Sequence, residues 1–170
     1  MSVVLLAGSP SPASRSTAVL RRLRQLAGAR QSDFELIELR ELPPDALLFG
    51  TSSDLLARAQ ARVQEASGVA LATPVYKAAY SGLLKTFLDY LPEGTLHGKA
   101  AYPIATGGSN AHLLSVDYAL KPVLSVLGAS RILDGLYLTN DAVAVGDDGI
   151  ARLAAEHDRR LESAVMELLR

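Results

Sequence analysis

Val3-Val4-Leu5-Leu6-Ala7-Gly8-Ser9-Pro10-Ser11-Pro12-Ala13-Ser14-Arg15-Ser16-Thr17 decides how this chain is read. Val3–Ala7 is a short, wholly apolar run with β-branched residues, the pattern of a strand buried on both faces. A loop of hydroxyls, prolines and one guanidinium follows, and then a helical pattern begins. The first N–H groups of a helix have no partner within it, so a loop placed there is a ready anion site, and phosphate is the natural guest. The plain alternative is a Ser/Pro turn with Ser16 as a simple N-cap.

The pattern beyond this opening alternates strand and helix. Helices are expected at Ser16–Gly28, Asp54–Ala66, Ser81–Leu91, Ala111–Leu127 (with Pro122 inside it) and Arg152–Leu169. Strands are expected at Phe34–Leu39, which has a partly polar face and suits an edge, and at Val69–Thr73, stopped by Pro74. Two more are expected at Ala100–Ala105 and Ile132–Leu138. Arg40–Ser53 and Asn140–Gly149 read as loops, the second turning at Asp147-Asp148-Gly149. Five strands alternating with helices make an α/β fold, a doubly wound parallel sheet with helices on both faces. At 170 residues the chain is expected to be a single domain, residues 1–170.

Composition narrows the function. With 21% charged residues, scattered Lys and Arg and a formal net charge of −1, nothing suggests a nucleic-acid surface. There is no cysteine, which removes disulfides, thiolate metal sites and cysteine nucleophiles. The three histidines lack metal-ligand spacing, and no metal is expected. His157 falls on the apolar face of the last helix with Leu153, Leu161 and Val165, which suits packing. The apolar N-terminus is too short for a signal peptide and no apolar run is long enough to span a bilayer, so the expected location is cytoplasmic.

In a sheet of this kind, ligands collect at the carboxyl ends of the strands. Three loops leave those ends with unusual chemistry: Gly8–Thr17, Pro74–Ser81 and Thr106–His112. The first lacks both the Walker spacing with its Lys and the G-x-G-x-x-G spacing, but offers Ser9, Ser14, Ser16, Thr17 and Arg15. In the second, Pro74 fixes a turn, Val75 to Lys77 present main-chain groups, and Tyr76 and Tyr80 supply aromatic surface or cover the core. In the third, Gly107-Gly108 permit close approach of backbone to a ligand, or simply make a flexible turn. His112 either contacts a ligand or serves as a structural hydrogen bonder. A receiver domain would need acidic residues after the first strand, where Gly8-Ser9 stand, and a G-x-S-x-G hydrolase motif is missing.

Ala7-Gly8-Ser9-Pro10 with Ser14-Arg15-Ser16, Ala72-Thr73-Pro74-Val75-Tyr76-Lys77-Ala78-Ala79-Tyr80-Ser81-Gly82, and Ala105-Thr106-Gly107-Gly108 resemble the NADPH-dependent FMN reductases of the flavodoxin-like superfamily. His112-Leu113-Leu114-Ser115-Val116-Asp117-Tyr118-Ala119-Leu120-Lys121-Pro122-Val123-Leu124 resembles the branch that serves two-component alkanesulfonate monooxygenases. The likeness is strong over residues 3–16, 69–91 and 99–129, and loose over 31–66 and beyond Leu138.

The resemblance implies a flavodoxin-like fold that binds FMN through these loops. Ser9, Ser14, Arg15 and Ser16 would hold the phosphate, Pro74, Val75, Tyr76 and Lys77 would line the isoalloxazine, and Thr106, Gly107, Gly108 and Ser109 would hold its other side. It implies hydride transfer from NADPH, or NADH, directly to the flavin, with no side-chain acid or base assigned. It also implies a homodimer or homotetramer and a monooxygenase that receives reduced flavin. A tyrosine matching Tyr118 is associated in this branch with a π-bulge, and Pro122 independently removes the N–H that would bond to the carbonyl of residue 118. The alternatives are a quinone or azo reductase holding FMN tightly and, in another class, a flavodoxin-like electron carrier, against which the near-neutral charge weighs.

Overall fold

The computed structural model describes residues 2–28 and 33–170. Its sheet runs β2 (Asp33–Glu38), β1 (Ser2–Ala7), β3 (Gly68–Tyr76), β5 (Ala100–Gly107) and then β6 (Arg131–Ile132) and β7 (Leu136–Thr139), which both pair with β5. All of these pairs are parallel, and β2 lies at the edge. The five sheet positions thus follow the doubly wound 2-1-3-4-5 order.

Alternation along the strands feeds two cores. Val3, Leu5 and Ala7 face α1 (Arg15–Gly28) and α6 (Ala155–Leu168), whereas Val4 and Leu6 face the layer of α2 (Pro44–Phe49), α3 (Asp54–Glu65), α4 (Gly82–Asp89) and α5 (Lys121–Val126). A strand covered on both sides has no polar position, which is why Val3–Ala7 reads as a continuous apolar run. Lys99 is buried beneath this second layer, and its Nζ donates to the carbonyls of Val63 (2.7 Å) and Gln64 (2.6 Å), closing the C-terminal turn of α3. No helix among the described residues is long and apolar enough to cross a membrane.

Several expected boundaries differ. Arg40–Ser53 is not all loop. Pro44 starts α2 and Gly50 closes it in the left-handed region at φ 69°, an N-terminal proline and C-terminal glycine that mark a helix too short to show a period. Ala111–Leu127 is not one helix but a 3₁₀ turn (Asn110–His112), a π-turn (Val116–Leu120) and α5. Ile132–Leu138 is broken at Gly135, whose φ of 80° separates β6 from β7. β3 does not stop at Pro74. Its β1 neighbour ends opposite Ala72, so one flank is free beyond that point and proline is tolerated. β3 then turns back as a hairpin with β4 (Ala79–Tyr80), through Lys77 (φ 50°) and Ala78 (φ 66°). Two consecutive positive φ values are what a two-residue primed turn needs.

At the C-terminal end, Asn140–Gly149 carries a 3₁₀ turn and β8 (Ala144–Val145), which pairs with β9 (Ala151–Arg152). Arg152 therefore belongs to a strand, and α6 begins only at Ala155. His157 on α6 is half-buried, with Nδ1 enclosed and without a partner.

Candidate active site

Parallel register carries the ends of the strands to one level. Ala7 lies opposite Ala72, Pro74 opposite Thr106, and Gly107 opposite Thr139. The loops that follow converge on a cleft of about 250 Å³ lined by Ser9, Ser11, Ala13, Ser14, Arg15, Pro74, Val75, Tyr76, Thr106, Gly107, Gly108 and Asn140. Larger hollows lie between α4 and α5 (about 580 Å³) and beside α2 (about 470 Å³), with mainly apolar walls, and between α6 and the β6–β7 segment (about 400 Å³), where Asp134, Arg160 and Glu167 stand; none of them lies where the three loops meet. Chemistry is the better guide here than volume.

The first loop is shaped by its own hydroxyls. Ser9 Oγ accepts from the Ser11 N–H at 3.2 Å, and Ser14 Oγ accepts from the Thr17 N–H at 3.2 Å. Ser14, not Ser16, thus caps α1. Ser16 is buried and its Oγ is 2.9 Å from Ser14 Oγ, so its hydroxyl supports the cap from behind and does not line the cleft. With Thr17 served by Ser14, the N–H groups of Arg15 and Ser16 at the first turn are left for a ligand. The Arg15 side chain is exposed and enters none of the ion pairs found among the described residues.

The second loop is tied to the first. Gly8 N–H donates to the Ala72 carbonyl at 2.8 Å, and Ser81 Oγ donates to the Gly8 carbonyl. The same Ser81 oxygen accepts from the Leu84 N–H at 3.1 Å, capping α4. Its own N–H donates to Thr73 Oγ1 at 2.9 Å. A Cβ at position 8 would lie 2.7 Å from Leu84 Cβ, so only glycine lets β1 pass beneath α4. Pro74, Val75 and Tyr76 line the cleft, whereas Lys77 stands at the hairpin tip outside it, and Tyr80 packs against the core.

The third loop presents bare backbone. Thr106, Gly107 and Gly108 line the cleft, while Ser109 and His112 lie beyond its wall. A Cβ at Gly108 would meet nothing within 4 Å, but one at Gly107 would fall 2.2 Å from Tyr137 Oη. Tyr137 Oη donates to the Ser109 carbonyl at 2.6 Å. Partial burial pushes the Tyr137 hydroxyl above its ordinary value, keeping it a donor.

Farther along, Val116–Leu120 is π-helical, with the Lys121 N–H reaching the Val116 carbonyl five residues back. Pro122 follows directly on the π-turn, at the second residue of α5, so the donor it lacks falls where the ladder changes from π to α spacing. Tyr118 projects from the π-turn with 79% of its surface exposed and is not among the residues that line the cleft.

Residues 1–144 match the family model described as NADPH-dependent FMN reductase. The chain belongs to this family. It is 47% identical over 144 residues to an FMN reductase (NADPH) of Escherichia coli K12, covering 84% of this chain and 75% of that one. It is 32% identical over 146 residues to the NADH-dependent FMN reductase SfnF of Pseudomonas putida, covering 82% and 78%. The crystal structure of the NADH:FMN oxidoreductase EmoB in its apo form superposes with a TM-score of 0.87 at 36% identity, over 98% of this chain and 87% of that one. The cleft itself is lined by residues of the first, second and third loops together with Asn140.

Ser11, Ala13 and Asn140 line the cleft without having been singled out as candidates; the first two lie within the first loop, and Asn140 lies outside all three loops. Its signal was position alone, directly after the last strand of the sheet. Tyr137 and Ser81 hold the loops without lining the cleft; Ser81 lies within the Ala72–Gly82 stretch, whereas Tyr137 belongs to no motif.

Proposed function

We propose that this chain is an NAD(P)H:FMN oxidoreductase whose cleft holds FMN. One observation carries the reading: the hydroxyls of the first loop and Arg15, beside the start of α1, line the same cleft as the bare backbone of Gly107 and Gly108. The first set suits a phosphate monoester, with its charge and several acceptors. The second suits the polar edge of a flat ring, which needs main-chain donors and close approach. The residues present therefore fit the group.

Bound FMN supplies the redox chemistry, taking up hydride from the nicotinamide. The residues bind, orient and compensate charge. Ser9, Ser14 and Arg15 would anchor the phosphate, with the Arg15 and Ser16 N–H groups completing its shell. Pro74–Tyr76 and Thr106–Gly108 would bracket the ring. Backbone N–H groups of these two loops are preorganised donors for the negative charge that gathers at the ring edge on reduction.

NADPH is the co-substrate favoured by the higher identity to an NADPH-using relative. The most useful recipient of the product is a separate reduced-flavin monooxygenase, a reading supported by the resemblance of residues 112–124 to the alkanesulfonate branch. Tyr118, exposed on the π-turn, is proposed as a contact between copies of the chain in a dimer or tetramer. The direct test is NADPH oxidation measured with and without added FMN. Turnover that requires FMN is expected, and turnover indifferent to it would refute the proposal.

A further inference from the structure

We infer that Tyr137 is a positioning residue for the ring end of the site, acting through the third loop without touching ligand. The inference rests on the flavin reading of the cleft. β7 runs parallel to β5 with Tyr137 opposite Ala105 and Thr139 opposite Gly107. From that place the Tyr137 hydroxyl reaches the Ser109 carbonyl at 2.6 Å. The same oxygen occupies the space that a side chain at position 107 would need, 2.2 Å from its Cβ. One phenol thus touches the loop twice: it crowds the place a side chain at 107 would take, and it holds the Ser109 carbonyl.

The bond also sets direction. No cis peptide occurs among the described residues, so turning the Ser109 carbonyl toward Tyr137 turns the Asn110 N–H the opposite way. The His112 N–H, at 3.4 Å from the same carbonyl, is a longer and weaker second hold. Without the phenol the peptide planes from Gly108 to Asn110 are held by the His112 bond alone, because Gly108 has nothing packed where its side chain would be. The donors that face the ring would then have to be ordered by the ligand itself, at a cost in affinity.

A ring-end role differs from a phosphate-end role in one measurable way. Riboflavin has the ring and lacks the phosphate. Tyr137→Phe should therefore weaken FMN and riboflavin by the same factor, about three- to tenfold, the value of one net hydrogen bond. Arg15→Ala should weaken FMN and leave riboflavin nearly unchanged.

Flavin fluorescence titrations of the wild-type protein and both variants read this out, with hydrogen exchange of the 107–112 amides in the ligand-free protein as a second measure. Faster exchange there in Tyr137→Phe is expected. Gly107→Ala should show the same ring-end loss, and adding Tyr137→Phe to it should recover part, since the clashing oxygen is then gone. Unchanged affinity for both flavins in Tyr137→Phe, or loss for FMN alone, would overturn the inference. A wild-type protein that binds neither flavin would overturn the reading of the cleft and the inference with it.

Discussion

The hydroxyl of Ser81 donates to the main-chain carbonyl of Gly8 and at the same time accepts from the first turn of α4. A single buried atom thereby joins the end of the first strand to the start of the fourth helix. Ser81→Ala leaves the Gly8 carbonyl and the Leu84 N–H without partners in a place water does not reach. A loss of about 1–3 kcal/mol in unfolding free energy is expected by urea denaturation. FMN affinity should fall as well, because the loops on both sides of the tie line the cleft. A variant as stable as wild type would show that the tie is dispensable.

Gly8→Ala tests the packing side of the same joint. The new methyl would meet Leu84 Cβ at 2.7 Å and the Ala72 carbonyl at 3.3 Å. Neither is the tip of a flexible side chain, so β1 or α4 must shift, at about 1–3 kcal/mol. Thermal unfolding should report it, and the 2.8 Å bond from Gly8 to Ala72 should exchange faster.

Arg15→Ala should reduce FMN affinity about ten- to a hundredfold, the value of a charge-assisted bond to phosphate. Because the side chain is exposed, the unfolding midpoint should stay where it is. Raising ionic strength should narrow the gap between variant and wild type. Equal affinities at low salt would remove Arg15 from the site.

Tyr102 predicts an alkaline limit to stability. Burial is the main cause that pushes its hydroxyl from 10.0 to about 12, with Asp134 adding to the rise and Arg160 opposing it. Between those values the unfolded chain releases a proton that the folded chain keeps. Stability is therefore insensitive to this group below pH 10 and falls as pH rises above it, by roughly 2–3 kcal/mol by pH 12. Urea unfolding at pH 9 and pH 11 measures the slope. Tyr102→Phe should show a shallower one, and an identical slope would assign the alkaline loss to other groups.

Tyr118→Ala should shift the oligomeric state, read by light scattering across a range of concentrations, while leaving the circular dichroism spectrum unchanged. An exposed aromatic on a π-turn has little to lose within its own chain. An unchanged association equilibrium would count against its role as a subunit contact.

The architecture was legible because burial on both faces leaves an unambiguous mark. Val3–Ala7, Val69–Thr73 and Ala100–Ala105 have no polar residue to confuse the pattern except the closing Thr73. The three loops were legible because they leave the carboxyl ends of those strands. What escaped was short or nonlocal. α2 spans barely more than one turn, so periodicity had nothing to count and only Pro44 and Gly50 announced it. The breaks at Gly135 and within 111–127 come from a single left-handed residue and a single extra residue, which perturb a pattern without erasing it. A hydroxyl at a helix start carries no sign of which neighbour it will choose, so the pairing of Ser16 Oγ with Ser14 Oγ is visible only in the structure. Tyr137 could not be found from sequence, since its partner lies 28 residues away and the pairing exists only once β5 and β7 align.

Two of the loops that line the cleft are anchored with unequal firmness. The Ser81 bond to the Gly8 carbonyl is buried and shared with the start of α4, whereas the Tyr137 bond to the Ser109 carbonyl is exposed. If the cleft holds FMN as proposed, the third loop would be the wall that yields first when a ligand enters or leaves.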